Sequence, residues 1–321
     1  MSAIETEGLT KDYLVGFWRP RPYRALDALT LSVPQGEVFG FLGPNGAGKS
    51  TTLKLLMQLV FPTSGRAEIL GRPAGDPAVK RRIGFLPENP SFYDYLTAEE
   101  LLAYFAGLFG LSGASRTARV AQVLDEVGLG AERRMRLRSY SKGMIQRVGI
   151  AQALLNQPEV VLLDEPMSGL DPLGRRDVRQ MMLRLRDRGC TVFFSSHILS
   201  DAEALCSEVA ILAAGRLVAA GKLSELLPFE TGSWEVIAAD VDETVLASFG
   251  SRVRQATRLA GGRYTLELPA DQHPESFVQD LAAKGAHVIA LNRIRGTLED
   301  LYARKVMAAD GRDGAEHGGR R

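Results

Sequence analysis

The segment Gly43-Pro44-Asn45-Gly46-Ala47-Gly48-Lys49-Ser50 has the spacing of a phosphate-binding loop, GxxxxGKS, and Thr51 adds a second hydroxyl. Glycines let successive backbone N–H groups turn toward one anion, and a helix starting where the loop ends adds the positive pole of its dipole. Lys49 is placed to reach the β- and γ-phosphates of a nucleoside triphosphate, and the Ser50 hydroxyl is a hard oxygen ligand suited to Mg²⁺. A plain Gly-Pro turn closing a strand would explain neither the spacing nor the Lys-Ser pair.

A second signal lies in Val160-Val161-Leu162-Leu163-Asp164-Glu165, an apolar run that ends in two acids. Alone, this reads equally well as a strand running into a solvated acidic turn. Beside a phosphate loop it gains a use, because that chemistry needs a carboxylate from a second strand to hold the Mg²⁺ shell. Asp164 can supply it, and Glu165 would then orient and deprotonate the attacking water.

With these segments in chain order, the sequence resembles the ATP-binding cassette family over about residues 4 to 225. The family's signature loop stands here as Tyr140-Ser141-Lys142-Gly143-Met144, followed by Ile145-Gln146-Arg147. Ser141 suits a helix N-cap and Gly143 permits close backbone approach, so the segment also reads as an anion-binding helix end. Ser168-Gly169-Leu170-Asp171 resembles the D-loop, and Ser195-Ser196-His197 resembles the switch histidine at a strand end. The resemblance implies that His197 contacts the γ-phosphate and that Ser141, Lys142, Gly143 and Met144 act in trans on ATP held by another subunit. Two positions depart from the family pattern: Glu88 stands for the usual Q-loop glutamine, and Tyr140, Lys142 and Met144 replace Leu, Gly and Gln of the signature. Glu88 can still approach Mg²⁺ and the water, and both variants resemble those of single-cassette export-type subunits. Tyr13 resembles the aromatic that stacks on adenine, although the insert from Gly16 to Tyr23 offers competing rings. That insert reads as a hairpin whose Trp18, Arg19 and Arg21 could touch lipid headgroups or a partner; a solvated loop is the plainer account.

These residues need a frame. Leu29 to Val33 alternates as an edge strand, Val38 to Leu42 reads as a buried strand, and Leu53, Leu56, Met57 and Val60 mark one side of the helix after the loop. Thr97 and Glu100 form a capping box ahead of Leu101, Leu102, Phe105, Leu108 and Phe109, and further helices fit Ser115 to Val127, capped by Gly128, and the stretch after Ser141. Strand and helix patterns then alternate to Leu212. The fold class this implies is α/β: a phosphate-loop NTPase domain over residues 1–227, with a mostly parallel sheet, antiparallel strands and a helical insert at about 90–157. Residues 228–307 read as a small α+β accessory domain without a cluster of ligands or nucleophiles, and 308–321 as a disordered tail.

Composition sets outer bounds. In 321 residues, 39 basic groups face 38 acidic ones, so no global field draws the chain to nucleic acid. Cys190 and Cys206 cannot build a disulfide framework, which fits a reducing compartment. The N-terminus does not read as a signal peptide, and no run of eighteen apolar residues occurs, so any spanning must be done by another chain. The expected protein is an ATPase using ATP and Mg²⁺, paired as a homodimer or heterodimer with another cassette subunit. It would be cytoplasmic and bound to the inner face of the cell membrane through separate permease subunits. Two rivals stand beside it: a soluble mechanoenzyme acting on nucleic acid or the ribosome, and a nucleotide-sensing module without turnover.

Overall fold

The computed structural model describes residues 1–16, 18–227, 234–269, 271–294 and 296–305. Phe17 of the insert and the tail at 308–321 lie outside the described residues. In chain order the elements are β1 (Ser2–Val15), β2 (Arg21–Pro34), β3 (Val38–Leu42), α1 (Lys49–Leu56), β4 (Ser64–Ile69), β5 (Arg72–Pro73), α2 (Pro77–Lys80), β6 (Ile83–Leu86), α3 (Ala98–Leu108), α4 (Gly113–Glu126) and α5 (Lys142–Leu154). There follow β7 (Val160–Leu163), α6 (Pro172–Asp187), β8 (Thr191–Ser196), α7 (Leu199–Glu203), β9 (Glu208–Ala213), β10 (Arg216–Lys222) and α8 (Leu223–Leu226). Contacts gather the chain into two units, one built on Met1–Leu223 and the other on Ser224–Leu301.

Two sheets make the first unit. One is antiparallel, in the order β2-β1-β4-β5; the other runs β10-β9-β3-β8-β7-β6 and is parallel except for β10. Leu29, Leu31 and Val33 alternate with outward residues along β2, which is an edge strand as its pattern predicts. β3, β7 and β8 are buried along their whole length, because helices cover both faces of a parallel sheet. Phe39 and Phe193 stack at 5.7 Å between neighbouring strands. Leu53, Leu55 and Leu56 of α1 share one core with Leu26, Leu29 and Ile69 of the first sheet and Phe39, Phe41 and Leu162 of the second. The helix that follows the phosphate loop is thus wedged between both sheets.

Parallel register brings the carboxyl ends of β6, β7, β8 and β3 to one edge, with Leu86 opposite Leu163, Leu163 opposite Phe194 and Leu42 opposite Ser196. The phosphate loop, Glu88, the Asp164–Glu165 pair and His197 each follow one of these ends. α3, α4 and α5 pack on one another as the helical insert, and the Thr97–Glu100 capping box forms in both directions.

Local boundaries differ from the sequence reading in places. α1 stops at Leu56, with Met57 as its C-cap and Gln58 in a left-handed turn (φ 52°), so Val60 lies beyond the helix. Leu108 and Phe109 are 67% and 42% exposed; they end α3 past its last packed turn and border a surface cavity of about 860 Å³ instead of the core. α4 runs Gly113–Glu126 with Val127 as C-cap, and Gly128 takes the left-handed position just after it. The sequence implies antiparallel strands in this unit without placing them, and β1, β4 and β10 are where they fall.

The second unit contains β11 (Trp234–Ala239), α9 (Glu243–Phe249), β12 (Gln255–Arg258), β13 (Arg263–Leu268), α10 (Pro274–Ala283) and β14 (His287–Arg293), its sheet ordered β12-β13-β11-β14. Val236, Leu266, Leu268, Phe249, Phe277 and Leu281 form its core, the two phenyl rings 4.6 Å apart.

One close approach in the first unit is decisive for the site. A β-carbon on Gly84 of β6 would stand 2.0 Å from the Ala153 carbonyl of α5, and one on Gly149 of α5 would stand 2.5 Å from Leu86 Cδ1. The glycines let α5 lie with its backbone against β6. Gly84→Ala should therefore destabilise the chain by about 1–3 kcal/mol through overpacking, measured by denaturant unfolding; an unchanged midpoint would show that α5 can move aside.

Candidate functional site

The loop at residues 43–48 leaves the end of β3 and enters α1. Gly48 is the N-cap with φ 105°, and a β-carbon there would stand 2.6 Å from the Ala25 carbonyl of β2. Only glycine fits a left-handed cap against another strand's backbone. Lys49 is 5% exposed; its Nζ donates to the carbonyls of Gly43 at 2.7 Å and Pro44 at 3.2 Å.

The acids at the end of β7 meet this loop. Lys49 Nζ lies 3.2 Å from Glu165 Oε1, and the other Glu165 oxygen lies 2.8 Å from His197 Nδ1. Ser50 Oγ donates to Asp164 Oδ1 at 3.2 Å, and Ser195 Oγ donates to the same oxygen at 2.7 Å. Ser195 Oγ in turn accepts the Glu165 backbone N–H at 2.8 Å. Lys49, Ser50, Asp164, Glu165 and His197 are thus joined in one network. Glu165 Oε1 is buried without a hydrogen-bond partner, its contact with Lys49 being an ion pair only.

Burial holds the Asp164 carboxyl above the ordinary carboxylate range. Hydrogen bonds from Ser195 and Ser50 oppose this, the negative Glu165 adds to it, and Lys49 offsets part. In the native fold the ionised Asp164 is therefore a cost that any bound cation would relieve.

A cavity of about 400 Å³ opens over the network. Asn45, Gly46, Gly48, Lys49, Ser50, Thr51, Glu88 and Glu165 line it, together with Tyr13, Ala25 and Tyr23. Glu88 follows β6 and is exposed at the cavity wall. Ser141, Lys142, Gly143 and Met144 do not line it, nor does Asp171. Ser141 instead caps α5 by accepting the Met144 N–H, and Asp171 caps α6 by accepting the Gly174 N–H at 2.8 Å. Lys142 lies across Gly169, where a β-carbon would stand 2.5 Å from its Nζ. One residue of consequence, Ser195, has no role of its own in the sequence pattern, and Tyr23 is one of the insert's competing rings. Ser195 was legible only as a member of Ser-Ser-His at a strand end. Tyr23 reaches the cavity only because β1 and β2 pair with Tyr13 opposite it.

The donor set fits a metal-bound nucleotide. Ser50 and Asp164 already share a hydrogen bond, which places two hard oxygens side by side as Mg²⁺ requires. The ammonium of Lys49, occupied by its own loop's carbonyls and Glu165, stands where an anionic phosphate would replace those partners. A phosphate loop between a parallel strand and a helix, with a strand-end acid pair at its side, defines a P-loop ATPase.

Residues 26–168 match the family model for ABC transporters. An uncharacterized ABC transporter ATP-binding protein of Synechocystis, sll0415, is 44% identical over 307 residues, 95% of this chain and 85% of its own length. The bacitracin transport ATP-binding protein BcrA of Bacillus licheniformis is 41% identical over 230 residues, 71% of this chain and 70% of its own. The dimeric ATP-binding cassette MJ0796, solved with ADP and Pi, superposes with a TM-score of 0.63 at 28% identity, over 68% of this chain and 98% of its own. The chain belongs to the ABC transporter family and is one of its ATP-hydrolysing, ATP-binding subunits.

The Asp164 environment yields a stability test. A carboxyl whose folded pKa is raised contributes stability that is lost as pH rises through that value, so at neutral pH its charge works against folding. Asp164→Asn should raise the melting temperature in chelator without nucleotide by about 2–4 °C, with the gain shrinking on acidification, while Mg²⁺-dependent ATP binding is lost. A lower melting temperature across the pH range would show that hydrogen bonds to the carboxylate outweigh its desolvation.

Proposed function

We propose that this chain powers export through separate membrane-spanning permease subunits, working as a pair with a second copy or another cassette subunit. What supports this most is the division of the ATP-handling residues. Lys49, Ser50, Asp164, Glu165 and His197 converge at one cavity or behind it, whereas the Ser141 to Met144 helix end stands outside that cavity. A nucleotide held at the first set needs the second set from another subunit. A relative's name concerns bacitracin transport, and Glu88 and Lys142 are the variants of export-type subunits in the resemblance described above. Among the described residues no helix is long and apolar enough to cross a membrane, so the spanning element is assigned to the permease, with this chain at the inner face of the cell membrane. The mechanoenzyme alternative gains nothing from these relatives, whose names are those of transporter subunits.

In this reading the backbone N–H groups of residues 43–48 and Lys49 bind the phosphates, with Thr51 adding a hydroxyl. Ser50, Asp164 and Glu88 would hold Mg²⁺, which supplies charge neutralisation for the leaving phosphates. Glu165 orients and deprotonates the attacking water, and His197 fixes Glu165 and reaches the γ-phosphate. Tyr13 stacks on adenine, and Asp171 belongs to the loop facing the second subunit. Because both subunits neutralise the γ-phosphate, its loss opens the pair, and this movement reaches the permease through the surface at Glu88 to Tyr95, where Tyr93 and Tyr95 are exposed. The unit at 228–307 is an appendage that steadies or regulates the pair.

Glu165→Gln should slow hydrolysis by about 10²-fold or more while ATP binding persists and the dimer accumulates; size-exclusion in ATP together with phosphate release checks both, and near-normal turnover removes Glu165 from the mechanism. Lys49→Ala should abolish nucleotide binding or turnover, and an unchanged ATPase rate would contradict the phosphate assignment.

A further inference from the structure

Phosphates take the N–H groups and Lys49 at one end of the 400 Å³ cavity, which leaves its other wall, Tyr13, Tyr23 and Ala25, for the base. Two aromatic rings stand on that wall where the resemblance supplies one. Their juxtaposition is built in. Tyr13 of β1 and Tyr23 of β2 are direct cross-strand partners, so their side chains leave the ribbon on the same face about 5 Å apart at Cβ. The preceding pair, Asp12 opposite Arg24, carries a two-pronged ion pair at 2.8 and 3.1 Å, and Arg24 also bonds Asp27 at 2.9 Å. Asp27 in turn holds Arg216 at 2.9 Å. This network pins the register just beyond a bulge, where a one-residue slip would send either tyrosine to the opposite face.

The placement relative to the phosphates is equally fixed. Tyr23 stands two residues before Ala25, whose carbonyl abuts Gly48 of the phosphate loop. One face of the Tyr13 ring is covered by Lys11, whose Nζ lies 5.1 Å from the ring centroid and is anchored to the Phe61 carbonyl at 2.7 Å. Tyr13 has only its other face to offer a ligand. Tyr23 is 52% exposed and lies on the cavity wall.

We propose that Tyr23 is a second base-contacting residue, so that the nucleotide's purine ring is held by Tyr13 and Tyr23 together. The proposal rests on the reading of this cavity as the ATP site. A two-ring wall adds apolar contact without hydrogen-bond readout, so it strengthens binding of purine nucleotides in general over a bare triphosphate.

Calorimetric titration of the full chain with Mg-ATP, Mg-GTP and Mg-tripolyphosphate tests this. Tyr23→Ala should raise the Kd for both nucleotides by about fivefold or more, leave the Kd for tripolyphosphate unchanged, and be rescued by Tyr23→Phe. In a Tyr13→Ala background Tyr23→Ala should weaken ATP further; no further change would mean that Tyr23 acts only by holding Tyr13, and the proposal fails. Equal loss for ATP and tripolyphosphate would also overturn it, because the ribbon and not the ring would then be responsible. If the unaltered chain binds neither ATP nor tripolyphosphate, it is the nucleotide reading that falls.

Discussion

Two consecutive carboxylates at the end of one buried strand are the constraint around which this molecule is built. Asp164 and Glu165 are 3% and 7% exposed. Successive residues of a strand point to opposite faces, so both acids can serve one crevice only if the chain turns once β7 has ended at Leu163. Glu165 does this with a left-handed backbone, φ 49°, a conformation that costs a non-glycine residue on the order of 1 kcal/mol or more. Ser195 holds the turn by donating to the first acid and accepting from the backbone of the second. Two buried negative groups so close favour anything cationic, and Lys49 answers one of them at 3.2 Å. The other, Asp164, is left with hydroxyl donors alone, which is the situation a divalent ion improves.

The rest of the first unit exists to hold that arrangement. Lys49, the acid pair and His197 come from three different strand ends, and only parallel register can bring such ends together at one edge. Buried aromatic contact between β3 and β8 fixes the two central strands, and α1, clamped between both sheets, fixes the loop that precedes it. The antiparallel sheet contributes the cavity wall of Tyr13, Tyr23 and Ala25, with Ala25 pressed against Gly48. Removing any one layer would leave the phosphate loop without a partner on that side.

What the sequence disclosed follows from the range of the interactions involved. The phosphate loop and the β7 acids are contiguous, and their chemistry is legible in residue order alone. The fully apolar strands β3, β7 and β8 are legible for the same reason. β1 is not, because its inward positions include Thr6 and Thr10, and the Thr10 hydroxyl is satisfied by the nearby Gly8 carbonyl and by the Ala28 N–H of the paired strand. β4 has only Ala67 and Ile69 to mark it. Leu108 and Phe109 look like core from their spacing, yet a helix end has no neighbour to bury them. The ties Glu165–His197 and Asp164–Ser195 join residues far apart in the chain, and no local pattern encodes them. Tyr23 belongs to the same class: its position depends on a β1–β2 register set by four shifts along the ribbon and an ion pair.

The signature helix shows how a distant motif is kept in step with the carboxylates. α5 carries Ser141 at its N-cap, where the positive end of the helix dipole is unopposed by any anion of its own cavity. Its body is set against β6 at Gly84 and Gly149, the latter touching Leu86 and Pro90 on either side of Glu88. Its first turns are fastened to the loop after β7, where buried Gln146 donates to the Pro166 carbonyl at 3.2 Å, one residue beyond Glu165. Packing this close does not deform by degrees: a rotation of α5 large enough to matter must carry Leu86 and Pro166 with it, or open a gap at both. A force on the Ser141 end of the helix is therefore delivered to the Glu88 loop and to the carboxyl end of β7 together, through contacts that two glycines make possible.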